Sequence, residues 1–116
     1  MTTQRIVSGA HYGARDWLAQ RITGVVIGLY AILLLFSAWS LPDTSYHHWA
    51  SLFSGSFMKV ATMLAVLALI YHAWIGIRDF FMDYVQQTGI RLALEVATIL
   101  LLLGYAAWAA VILWSV

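Results

Sequence analysis

No cysteine occurs among the 116 residues, so disulfides, thiolate metal sites and iron–sulfur ligation are excluded from this chain. Proline occurs once, at Pro42, and charged residues make up only 9% of the sequence. A soluble domain carries roughly 25% charged residues. The formal net charge of +1 also leaves no basic face of the kind a nucleic-acid partner requires. What is abundant is apolar: 63% of the residues are hydrophobic. Small domains leave a large share of their surface in water, so a core of this size has no room for that much apolar surface. The solvent for most of the chain is therefore lipid, and the length allows a single domain, 1–116.

The few charges divide the sequence into three uncharged runs: Ile22 to Pro42, Val60 to Ile77, and Val96 to Val116. About 20 apolar residues cross the hydrocarbon core as a helix, and an isolated strand would leave its backbone polar groups unpaired there. The pattern predicts an all-α integral membrane protein with three transmembrane helices, at about 18–41, 58–84 and 90–115. The first run starts too late and runs too long for a secretory signal, so the first helix is expected to be retained. Arg5, Arg15 and Arg21 before the first span, with Arg78 and Arg91 after the second, outnumber Lys59 in the other loop. The positive-inside rule then expects the N-terminus and the second loop in the cytoplasm.

Between the first two spans, Tyr46, Trp49, Leu52, Phe53 and Phe57 recur at spacings of three and four where not adjacent, which predicts a short interfacial helix. The adjacent His47 and His48 would point about 100° apart on a helix, a poor arrangement for sharing one ion, and read as polar loop residues.

The second span carries His72 about five residues, roughly 8 Å, inside its charged boundary. An ionisable side chain at that depth marks a site facing protein. Two roles fit it: a bond to a neighbouring helix, or ligation of a metal-bearing cofactor. Ala61, Ala65, Ala68, His72 and Gly76 share one face, suited either to tight helix packing or to a flat macrocycle held through the imidazole. Gly24 and Gly28 offer G-x-x-x-G spacing in the first span. Arg21 at its edge either snorkels to the interface or meets a carboxylate or propionate. Asp83 continues the His72 face if the helix persists, with Tyr84 beside it. That pair is either a solvated helix end or a place where a polar ligand head is bound and protonated. Arg91 and Glu95 are spaced to form an ion pair.

His72-Ala73-Trp74-Ile75-Gly76 followed by Asp83-Tyr84-Val85 resembles the small membrane-anchor subunit of bacterial succinate dehydrogenase, respiratory complex II. Asp16-Trp17 with Gln20-Arg21-Ile22-Thr23-Gly24, and Phe57-Met58-Lys59-Val60, resemble the entries to that family's first two helices. The resemblance implies that His72 is an axial ligand of the iron of a haem b shared with a second hydrophobic anchor subunit in a heterodimeric bundle. It implies Arg21 near the haem propionates, with Arg15 standing where some relatives have histidine. It also implies Tyr84 and Asp83 at a ubiquinone site. Flavin and iron–sulfur clusters would then belong to partner flavoprotein and iron–sulfur subunits, and the chain would lie in the bacterial inner (cytoplasmic) membrane as a non-catalytic subunit. A quinol–fumarate reductase anchor, and a haem-free scaffold or assembly protein using the Ala/Gly stripe only for packing, are the competing readings. A small transporter is disfavoured by the absence of an internal repeat.

Overall fold

The computed structural model describes the backbone from Thr2 to Val116 and the side chains from Gly13 onward. It contains four helices: α1, Thr2–Trp39; α2, Tyr46–Ser51; α3, Ser56–Tyr84; and α4, Thr88–Trp114. Three stretches are long and apolar enough to cross a membrane: Gly13–Trp39, Ser56–Tyr84 and Thr88–Trp114. The all-α, three-span architecture expected from the charge spacing is the one observed.

The boundaries differ where hydropathy and helicity part company. α1 begins at Thr2, well before the first uncharged run, because Arg15, Asp16 and Arg21 limit the lipid-facing stretch without breaking a helix. Its far end is set by Pro42. The residue before a proline is disfavoured in the α region, and regular helix stops at Trp39 after the bonds Ser40 N–H to Phe36 O (3.2 Å) and Leu41 N–H to Ala38 O (3.1 Å). The short loop helix is present as α2. Its N-cap Ser45 accepts from the His48 N–H, satisfying one of the amides that a helix start leaves unpaired. Trp49 packs edge-on against Phe53 with centroids 5.6 Å apart.

α3 lies between α1 and α4 and packs against both. Contacts pair Asp16, Thr23 and Tyr30 of α1 with Arg78, His72 and Thr62 of α3, so the two helices run antiparallel. Lys59 meets Leu113 and Val116 at the other end of the α3–α4 pair, which is antiparallel too. Among the described residues, the buried apolar side chains are Met58, Ala65, Ile75 and Leu113. Large apolar residues such as Leu29, Phe36, Leu100 and Trp108 stand exposed on the outer faces. In lipid this exposure carries no penalty, because the acyl chains are as apolar as the side chains.

Of the small-residue stripe of α3, His72 and Gly76 face α1. Ala65 is buried, and a Cβ added at Gly76 would lie 4.0 Å from the side-chain nitrogen of Gln20. The Gly24–Gly28 pair divides: a Cβ at Gly24 would come within 3.7 Å of His72, whereas one at Gly28 meets nothing within 4 Å. Gly24 alone serves the α1–α3 crossing.

Candidate functional site around His72

His72 is reached from two helices. α3 turns it toward α1, where its Nδ1 lies 3.0 Å from the Thr23 hydroxyl. Thr23 is buried, and its hydroxyl donates to the Ala19 carbonyl at 2.7 Å, with a longer approach to the Gln20 carbonyl at 3.2 Å. Gly24, the next residue, faces the ring as well: a Cβ there would stand in van der Waals contact with Cε1 at 3.7 Å.

Around the ring opens a groove of about 430 Å³ lined by Gln20, Arg21, Gly24, Val25 and His72. One imidazole and one guanidinium therefore share a concave surface on the α1–α3 face. The Arg21 guanidinium carbon also sits 5.2 Å from the centroid of the Trp17 ring, close enough for a cation–π attraction that steadies the side chain. The buried Oε1 of Gln20 has no hydrogen-bond partner.

One turn beyond the groove, Arg78 of α3 forms an ion pair with Asp16 of α1. Asp79 stands 3.8 Å from the same guanidinium. Both members of the Asp16–Arg78 pair are about 30% exposed, so the contact holds the helices together at the margin of the apolar region. Asp83 and Tyr84 occupy the last turn of α3, which persists to Tyr84, the condition for Asp83 to continue the His72 face. Eleven residues separate Asp83 from His72, which returns it to the same face about 16 Å farther along the axis. Tyr84 is 72% exposed, its ring tilted against Phe80 with centroids 4.7 Å apart.

The structure thus brings His72 and Arg21 together and leaves Asp83 and Tyr84 as a separate, exposed pair. Arg15 is exposed on α1, six residues before Arg21 and about 120° around the helix from it, outside the groove lining. Among the described residues, the expected Arg91–Glu95 ion pair is not formed: both line a cavity with Arg78, Met82, Thr88 and Leu92, but no ion pair joins them. Arginine placed N-terminal to glutamate is the weaker order for such a pair on a helix.

In the loop, His48 bonds to Asp43 at 2.6 Å and to the Ser45 hydroxyl at 3.1 Å. The His48 bond, followed by those from Ser45, holds the Asp43 carboxyl below its ordinary value. His48 is thereby engaged within the loop. Among the described residues, no three His, Cys, Asp or Glu side chains converge to cage a metal ion. An axial position on a prosthetic group asks a single ligand of this chain.

A model of the transmembrane subunits of succinate dehydrogenase and fumarate reductase matches residues 1–113. The chain belongs to this family. The anchor is 43% identical over 102 residues to the succinate dehydrogenase hydrophobic membrane anchor subunit of Coxiella burnetii, covering 88% of this chain and 89% of that one. It is 29% identical over 86 residues to the subunit of the same name from Rickettsia felis, covering 74% and 72%. Three apolar helices and this membership make it a multi-pass membrane protein that serves as an anchor within a larger complex.

Of the anchor's polar contacts, sequence reasoning missed the roles of Thr23, Arg78 and Lys59. Thr23 falls in the stretch that carries the family resemblance, yet its 49-residue separation from His72 hides their meeting until the helices are packed.

Proposed function

We propose that the chain anchors a succinate:ubiquinone oxidoreductase in the bacterial inner membrane and co-ligates haem b with a second hydrophobic anchor subunit. The observation that carries this reading is the shared groove: His72 and Arg21 line one concave surface on the α1–α3 face. Imidazole suits an axial position on iron, and a guanidinium fork suits a propionate. Gly24 keeps the adjoining wall flat. A haem held there would supply one-electron redox chemistry, with His72 and a residue of the partner anchor holding its iron. Because the groove is open on its outer side, it needs that partner to close it.

Asp83 and Tyr84, at the end of the same helix, form the ubiquinone side of the reading. The Tyr84 hydroxyl donates to a quinone carbonyl, and Asp83 supplies or relays the proton. The basic excess at this end puts it, with the N-terminus, on the cytoplasmic side, where flavoprotein and iron–sulfur subunits would dock. The curated relatives are named as succinate dehydrogenase anchors, which favours succinate oxidation over fumarate reduction.

The test is a reduced-minus-oxidised spectrum of the purified complex. Wild type is expected to show a low-spin b-type haem and His72→Ala to lose it; an unchanged low-spin spectrum in the variant would remove His72 as the ligand. In parallel, Tyr84→Phe is expected to lower quinone reduction by up to about 10-fold while the complex still assembles, in line with loss of one hydrogen bond worth roughly 0.5–1.5 kcal/mol. Wild-type turnover with quinone would count against the role given to Tyr84.

A further inference from the structure

We infer that Thr23 is the positioning residue for His72: its hydroxyl accepts the Nδ1–H of the ring, which fixes the tautomer and leaves Nε2 as the nitrogen bearing the lone pair. The inference rests on the reading of His72 as an iron ligand and adds to it a residue that acts through the ring.

The argument is one of proton accounting. A threonine hydroxyl has one proton and two lone pairs. That proton is directed at the Ala19 carbonyl, 2.7 Å away, and shared at most with the Gln20 carbonyl at 3.2 Å. Threonines inside helices commonly return their proton to the carbonyl four residues back. With the proton committed, the 3.0 Å contact to His72 Nδ1 requires the ring to donate. A neutral imidazole carries one N–H, so the other nitrogen, Nε2, is unprotonated. That is the form in which histidine binds iron.

The site is built to hold this arrangement. Thr23 is only 9% exposed, and β-branching restricts its χ1. Gly24 brings the backbone of α1 near Cε1, and Ile75, one turn along α3, is 1% exposed and fixes the local packing. A ring N–H donated to an oxygen also makes the opposite nitrogen a stronger donor to metal. Stronger donation stabilises the ferric state, so loss of the acceptor raises the haem midpoint potential.

The experiment uses the whole complex purified from membranes, with wild type, Thr23→Val, Thr23→Ser, Thr23→Ala and His72→Ala compared. The readouts are haem per flavin, the low-spin ferric electron paramagnetic resonance signal, and the haem midpoint potential by redox titration. Thr23→Val is expected to shift the potential upward, to alter the ferric signal, and to lower haem occupancy. Thr23→Ser, which keeps the hydroxyl, is expected to stay at the wild-type potential. Should the valine variant fail to assemble, Thr23→Ala removes the same oxygen without added bulk and is read in the same way. Unchanged potential and ferric signal in the hydroxyl-less variants, with haem still lost in His72→Ala, would overturn the inference alone; so would a lower yield of complex at an unchanged potential. A wild type without haem, or a His72→Ala complex with an intact low-spin signal, would overturn the underlying reading as well.

Discussion

Along the seam between α1 and α3, polar side chains meet at three depths. Asp16 pairs with Arg78, Thr23 with His72, and Tyr30 with Thr62. The seam between α3 and α4 is different. Leu67, Ile70, Tyr71 and Trp74 face Ile99, Leu102 and Leu103 across its middle. Its hydrogen bonds among the described residues are made by Lys59, which donates to the carbonyls of Leu113 and Val116 at 3.0 and 2.9 Å. Lipid supplies no hydrophobic drive for one helix to seek another, so dispersion and polar bonds must hold them. An apolar seam tolerates small slides and rotations. A seam pinned at three heights does not, and the ring proposed as an iron ligand sits at the middle pin. Rigidity has been placed on one side of α3, where the candidate chemistry is.

The largest test of that contrast is Arg78→Ala. It strands the Asp16 carboxylate, which is about 30% exposed, against the helix pair. Loss of a hydrogen bond to a charged group costs roughly 1.5–3 kcal/mol. Denaturant unfolding of the solubilised complex is expected to register a loss in that range, with Asp16→Asn in the same chain recovering part of it. A stability within error of wild type would mean that the ion pair does not pin the seam.

What the sequence disclosed follows from which signals are local. The three spans were legible because six basic and five acidic residues break an otherwise apolar chain at the right intervals. His72 was legible because an imidazole at that depth is costly wherever it points. Of its two readings the structure meets the first: it bonds a neighbouring helix, through Nδ1. The Ala/Gly stripe was legible as a close-contact face, but which helix it met was not. The pairs Asp16–Arg78 and Lys59–Leu113 were hidden, since separations of 62 and 54 residues carry no periodicity to read. The Arg91–Glu95 pairing failed because spacing permits a contact without supplying the energy to hold it.

On the apolar seam the matching change is Lys59→Met, which keeps the stem and removes the charge. A cation near the carbonyl end of a helix contributes about 0.3–1 kcal/mol. Because no other hydrogen bond joins α4 to α3 among the described residues, the expected outcome is a loss of that size with the haem spectrum unchanged. A spectral shift would show that the two faces of α3 are coupled, contrary to the division drawn between them.

The finest test returns to the pinned seam. Tyr30→Phe removes the 2.6 Å bond to Thr62 while keeping the ring. Interhelical hydrogen bonds inside membranes contribute about 0.6 kcal/mol on average, so the stability change should be small. Its value lies in position. Tyr30 is seven residues along α1 from Thr23, two turns of the helix and so nearly the same face, about 10 Å away. If the three pins set the register jointly, releasing this one should widen the distribution of His72 ring orientations. The checkable consequence is a broadened low-spin ferric signal at an unchanged midpoint potential. A signal as sharp as wild type would locate the positional control in Thr23 and the Asp16–Arg78 pair alone.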